Sequence, residues 1–142
     1  MTQKEREQFW IRTEDELLLG GACFSEWCTF ISKSVYIAFT NGTDLATIIT
    51  SMACIETYFK TEDPSIKSEN LASLIDSNAL LTETEKHQLH ILRKYRNSWV
   101  HVDRIDDAPI LTDELPFLKE AEEMACLSVR MLMVVLFSSP FV

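Results

Sequence analysis

Chain-breaking residues are scarce in this sequence, with 3 glycines and 4 prolines in 142 positions. A β-sandwich or barrel needs frequent turns, so this scarcity argues against both and favours long helices. Long apolar runs are also missing. The most apolar stretch, Met131 to Phe137, is much shorter than the roughly 20 residues of a membrane span, so no membrane partner is expected. The first residues, Met1-Thr2-Gln3-Lys4-Glu5-Arg6, contain no apolar signal core. Cys23, Cys28, Cys54 and Cys126 form no Cys-x-x-Cys pair. They read as buried, reduced thiols, as expected of a cytoplasmic protein. There is no phosphate loop, no Gly-x-Ser-x-Gly elbow and no paired Glu-x-x-His motif of a di-iron bundle. Neither a cofactor nor a metal is expected.

Positive charge is in short supply too. The net charge is −9 and the pI about 4.7, which by itself disfavours contact with phosphates. The cations that exist are concentrated. Between residues 86 and 104, Lys86, Arg93, Lys94, Arg96 and Arg104 face Asp103 alone, a net of +4 against −13 for the rest. His87, His90 and His101, the only histidines, fall in the same segment. One cationic patch on an acidic body is the feature that function has to explain.

At 46% apolar residues, the chain can bury a core as one domain spanning 1–142 without disulfide or metal staples. A polar helix with an apolar edge of Phe9, Trp10, Leu17 and Leu18 is expected over 2–19, ended by Gly20-Gly21. An aromatic-rich helix over 22–39 follows, then an Asn41-Gly42 turn, with Thr43 or Asp44 available as a cap. Leu45, Ile48, Ile49, Met52, Ile55 and Phe59 recur at helical spacing from about Asp44 to Phe59. Asp63-Pro64 breaks that pattern, and a short helix is expected over 66–76. Thr82 with Glu85 reads as a capping box opening a helix that carries the Leu89–Leu92–Trp99 stripe to near His101. Asp106, Asp107 and Pro109 mark a loop. A last helix, Pro116 to Phe137, is apolar all round at its end, as a buried helix is. The fold class is therefore all-α: an antiparallel bundle of four to five main helices.

Leu92-Arg93-Lys94-Tyr95-Arg96-Asn97-Ser98-Trp99-Val100-His101 is the most informative segment. It places a permanent cation, an amide and an imidazole near the end of one helix. Asn97 and His101, four apart, share a face; Arg96 and His101, five apart, turn partly away from each other. To converge on one phosphate they need long side chains, a loosened last turn, or a second copy of the motif. Cleaving RNA without a metal requires a group that moves a proton near neutral pH, which suits histidine. It also requires a donor for charge developing on phosphoryl oxygens, which suits the planar fork of arginine.

The motif Arg96-Asn97-x-x-x-His101 resembles the R-x4-6-H signature of the HEPN superfamily, including the polar residue that often follows the arginine. Glu56-x-x-Phe59 closing the preceding long helix is similar too, and the likeness covers roughly residues 43–102. The resemblance implies a helical bundle that often dimerises with its motifs face to face. For active members it implies metal-independent endoribonuclease activity leaving a 2',3'-cyclic phosphate. Some relatives are prokaryotic toxins or antiphage effectors; others are binding modules. Carried onto this chain, it makes Arg96, His101 and Asn97 the expected catalytic group, with Glu56 in support. Arg93, Lys94 and Arg104 are the expected holders of flanking RNA phosphates. The expected partners are RNA, a second copy of the chain, and a neutralising or activating protein. One subgroup has a tyrosine two residues after the histidine; Asp103 stands there, so the tyrosine-modification control of that subgroup is not expected.

Plainer readings of the same residues exist. Arg96 near a helix C-terminus pairs with a carboxylate such as Glu56. His101 caps the last carbonyls. Trp99 continues the core stripe rather than stacking on a base. Glu83, His87 and His90 share one helical face at metal-ligand spacing, but three such residues on an exposed helix usually form a solvated face. The alternative function is a non-catalytic helical protein-interaction module in which the Arg/His motif is structural.

Overall fold

The computed structural model describes residues 1–62, 69–101 and 114–139. Asp103 and Arg104, and the loop residues Asp106, Asp107 and Pro109, lie outside this set, as does Asp63-Pro64. The described residues form six helices: α1 (Gln3–Leu17), α2 (Glu26–Thr40), α3 (Asp44–Glu62), α4 (Leu71–Ser77), α5 (Glu83–Val100) and α6 (Leu115–Leu136). Five are long and α4 is a short seven-residue connector, so the all-α expectation holds.

Four of the six helices, α1, α2, α4 and α5, begin where a side chain supplies a partner for their free N–H groups. Thr2 and Glu5 form a capping box at α1, Ser25 caps α2 through Cys28 N, and Asn70 caps α4 through Ser73 N. The box read from the sequence at α5 is present: Glu85 N donates to Thr82 Oγ1 (3.1 Å) and Thr82 N donates to Glu85 Oε1 (2.9 Å). Two expectations shift. The second helix starts at Glu26 rather than residue 22, because Ser25 is the first side chain able to cap it. Thr43 and Asp44 have other tasks: Thr43 Oγ1 donates to the Ala38 carbonyl and the Asp44 carboxylate receives Arg6. Between α2 and α3, Gly42 has φ of 76°, a left-handed conformation glycine adopts without strain.

α3 is the central element, touching α2, α4, α5 and α6, with its broadest contacts to α2 and α6. Ile48, Met52 and Ile55 are fully buried along it. Across from them lie Val35 and Phe39 of α2, Leu89 and Leu92 of α5, and Val129, Leu132 and Val135 of α6, all fully buried. Burial of each such side chain contributes roughly 1.5–3 kcal/mol before entropy is charged. The end of α6 is largely buried, with Met131, Leu132, Met133, Val135 and Leu136 within the core and Val134 half-buried. α1 lays Phe9, Trp10 and Leu17 against this core.

Arg6 lies on that same face of α1 and is buried, its side chain 4% exposed. Its guanidinium donates to both oxygens of Asp44, to Glu122 Oε2 (3.1 Å) and to the Phe39 carbonyl (3.2 Å). It also stands over the Phe39 ring, 5.1 Å from its centroid. One cation thus ties α1 to the start of α3 and to α6. The thiols depart partly from expectation. All four are free; Cys28 and Cys54 are buried and Cys126 half-buried, but Cys23 is exposed, in the connection before α2. No helix among the described residues is long and apolar enough to cross a membrane.

Candidate functional site

One side of α5 carries a half-buried polar stripe. Lys86, His90, Arg93, Asn97 and His101 follow one another at helical intervals of three or four, flanking the fully buried Leu89 and Leu92. At about 1.5 Å per residue the stripe runs roughly 22 Å along the helix. Its two ends differ.

At the N-terminal end, charges are paired. His90 Nε2 lies 2.7 Å from Asp76 Oδ1 at the end of α4, while Arg93 Nε donates to His90 Nδ1 (3.4 Å). With Nδ1 accepting, the imidazole proton sits on Nε2 and points at the carboxylate. Lys86 Nζ donates to the Asp76 carbonyl (3.0 Å) and lies 3.6 Å from Glu83. This Asp76–His90–Arg93 relay was not legible in the sequence, because Asp76 stands 14 residues from its partner on another helix. It fastens α4 to α5. It also engages His90, and no group of three metal-ligating side chains occurs among the described residues.

At the C-terminal end, cations outnumber their partners. Arg96 turns its guanidinium onto its neighbour: Nε and Nη2 donate to Asn97 Oδ1 at 3.0 and 2.7 Å. Glu56 is not its partner, contrary to the pairing expected from the sequence. Glu56 instead accepts from Lys60 Nζ at 2.9 Å, one turn along α3, the cheapest ion pair a helix offers. Arg93, Lys94 and Arg96 have no carboxylate partner among the described residues. The Asn97 clamp uses two of the five guanidinium N–H donors and leaves three.

His101 is the C-cap residue of α5. The capping is done by its backbone, whose N–H donates to the Asn97 carbonyl (2.9 Å). Its imidazole is exposed and makes no hydrogen bond with a described residue. Asn97 therefore joins the motif twice, through Oδ1 to Arg96 and through its carbonyl to His101. Along one chain the Arg96 and His101 directions diverge by about 140° on a regular helix. Trp99 is half-buried and packs against Tyr95 and Phe117 at the edge of a cavity, outside the buried core cluster, so its reading as a core residue is not met. Arg104 lies outside the described residues.

This end of α5 can thus offer a permanent cation with spare donors, further cations for an extended anion, and an exposed imidazole. No family model, curated protein or solved structure matches this chain, so the likeness to HEPN domains rests on the motif and its place on the helix.

Proposed function

We propose that this protein is a HEPN-type RNA-directed effector that cleaves RNA without a metal. The observation that carries the reading is the Asn97-clamped Arg96 on the helix that ends in His101, whose exposed imidazole has no hydrogen-bond partner among the described residues. Arg96, pre-oriented by Asn97, stabilises charge on the phosphoryl oxygens in the transition state. His101 takes the 2'-hydroxyl proton as that oxygen attacks the adjacent phosphorus; the bond from phosphorus to the 5'-oxygen breaks, that oxygen leaves with a proton from water, and a 2',3'-cyclic phosphate results. Arg93 and Lys94 hold neighbouring phosphates, with Arg104 in the same role. Glu56, bound to Lys60, is assigned no chemical step. Prokaryotic defence or toxin systems are the setting this reading suggests, with a protein partner that neutralises or activates it.

The divergence of Arg96 and His101 favours a site built by two copies. Mixing Arg96→Ala with His101→Ala tests this directly. If each site takes its arginine from one chain and its histidine from the other, the random mixture recovers roughly a quarter of parental cleavage, since half the dimers hold one intact site. If the mixture stays as inactive as either variant, the composite site is wrong. A parent that cleaves no RNA overturns the enzyme reading itself.

One observation favours a second reading, the protein-interaction module. Trp27 and Phe30 are 71% and 74% exposed on α2, and Ile37 continues their face at 52%. Aromatic groups of this exposure are common at protein contacts. α2 does not touch α5, so this face is separate from the cationic stripe. Under this reading Arg96→Ala lowers stability and leaves RNA untouched.

A further inference from the structure

Opposite the cationic stripe, α5 borders a cavity of about 400 Å³. Tyr95 and Trp99 of α5 and Phe117 of α6 wall it on one side, and the start of α3 on the other. The rings stand steeply to one another, Tyr95 to Trp99 at 63° and Trp99 to Phe117 at 83°, with centroids 6.3 and 6.0 Å apart. Steeply angled neighbouring rings present π faces in more than one direction, and each face attracts positive charge.

The polar groups of the wall carry one sign. Asp44 and Glu114 line the cavity, and no Lys, Arg or His is among its described lining residues. Asp44 is already neutralised by Arg6. Glu114 is exposed at the start of α6, caps nothing with its side chain, and has no ion-pair partner among the described residues. Tyr95 lines the cavity, and its hydroxyl is buried. Among the described residues, three aromatic rings, one carboxylate without an ion-pair partner and no cation line the cavity, a surface that repels phosphate.

We infer that this cavity binds a small organic cation of the quaternary or alkylated ammonium class. The alkyl groups lie against Trp99, Phe117 and Tyr95, and the charge faces their π surfaces and Glu114. The inference is independent of the RNA reading, since it uses the other side of α5.

Choline is the probe, titrated into the full chain while the indole N–H resonances of its 3 tryptophans are followed. Trp99→Phe identifies the Trp99 signal. The expected result is a saturable shift of Trp99, with Trp10 and Trp27 unmoved. The uncharged carbon isostere of choline, of the same shape, should bind at least about fivefold more weakly, because the cation–π and carboxylate attractions are absent. Glu114→Gln keeps size and exposure, leaves the fold intact, and should weaken choline binding about threefold or more. No saturable shift at Trp99, equal binding of the isostere, or indifference to Glu114→Gln would each overturn the inference. Tighter binding of adenosine than of choline would do the same, by making the cavity a base pocket.

Discussion

Replacing Arg6 by methionine should be among the most damaging single changes in this chain. Methionine keeps most of the aliphatic volume, so the loss is of charge and donors rather than of packing. Asp44, only 14% exposed, then stands without its cation, and the buried Phe39 carbonyl loses its side-chain donor. Breaking a buried ion pair by removing one partner costs roughly 3–5 kcal/mol. For a chain of this size that is a fall of about 10–15 °C in Tm. Glu122, 34% exposed and also bound by the Met1 ammonium at 2.7 Å, keeps a partner and adds little. The double change Arg6→Met/Asp44→Asn removes the orphaned charge and should recover more than half of the loss. Urea unfolding of the parent, the single and the double variants measures both steps. An Arg6→Met penalty under about 1 kcal/mol, or a double variant no better than the single, would refute the claim that this ion pair ties α1 to α3.

Other outcomes follow from the same geometry. Thr82→Ala removes one half of the capping box and should cost about 1 kcal/mol in urea unfolding. Ile55→Ala opens a cavity at a fully buried position of α3 and should cost about 2–5 kcal/mol by the same measurement. Stability should also depend on pH at both ends. Backbone and side-chain hydrogen bonds from Thr2 hold Glu5 below its ordinary value of 4.5, a hydrogen bond from Arg130 does so for Glu16, and one from the Met1 ammonium does so for Glu122. Their contribution is complete above that value and is lost as pH falls through the lower folded values. The Met1 ammonium is held above 8.0 by its hydrogen bond to Glu122, so its contribution is complete below 8.0 and lost as pH rises further. Unfolding midpoints should be flat from about pH 5 to 8 and fall on either side; a midpoint that rises on acidification to pH 3 would contradict this.

Local signals in the sequence were legible and long-range ones were not. The Thr82–Glu85 box, the Asn41-Gly42 turn and the apolar end of α6 were readable because each is fixed by residues within a turn or two of one another. The start of α2 was misplaced because apolar periodicity extends past Ser25, where the capping chemistry stops it. Arg6 carried a readable signal that charge obscured: it precedes Phe9, Trp10, Thr13 and Leu17 at helical spacing on the inward face of α1. At the proposed site, Arg96, Asn97 and His101 were singled out by type and spacing alone. Their actual contacts were not, since Arg96 chose Asn97 over Glu56 and Glu56 chose Lys60. The Asp76–His90 contact and the aromatic cavity join residues from different helices and left no mark in the local pattern.

The central claim is that the end of α5 cleaves RNA without metal, and total RNA incubated with the purified protein in EDTA tests it most directly. An Arg96→Ala/His101→Ala double variant, shown by circular dichroism to keep the parental helix content, is the control. The account predicts fragments ending in 2',3'-cyclic phosphate from the parent and intact RNA from the double variant. Equal cleavage by both, or intact RNA with both, would contradict it.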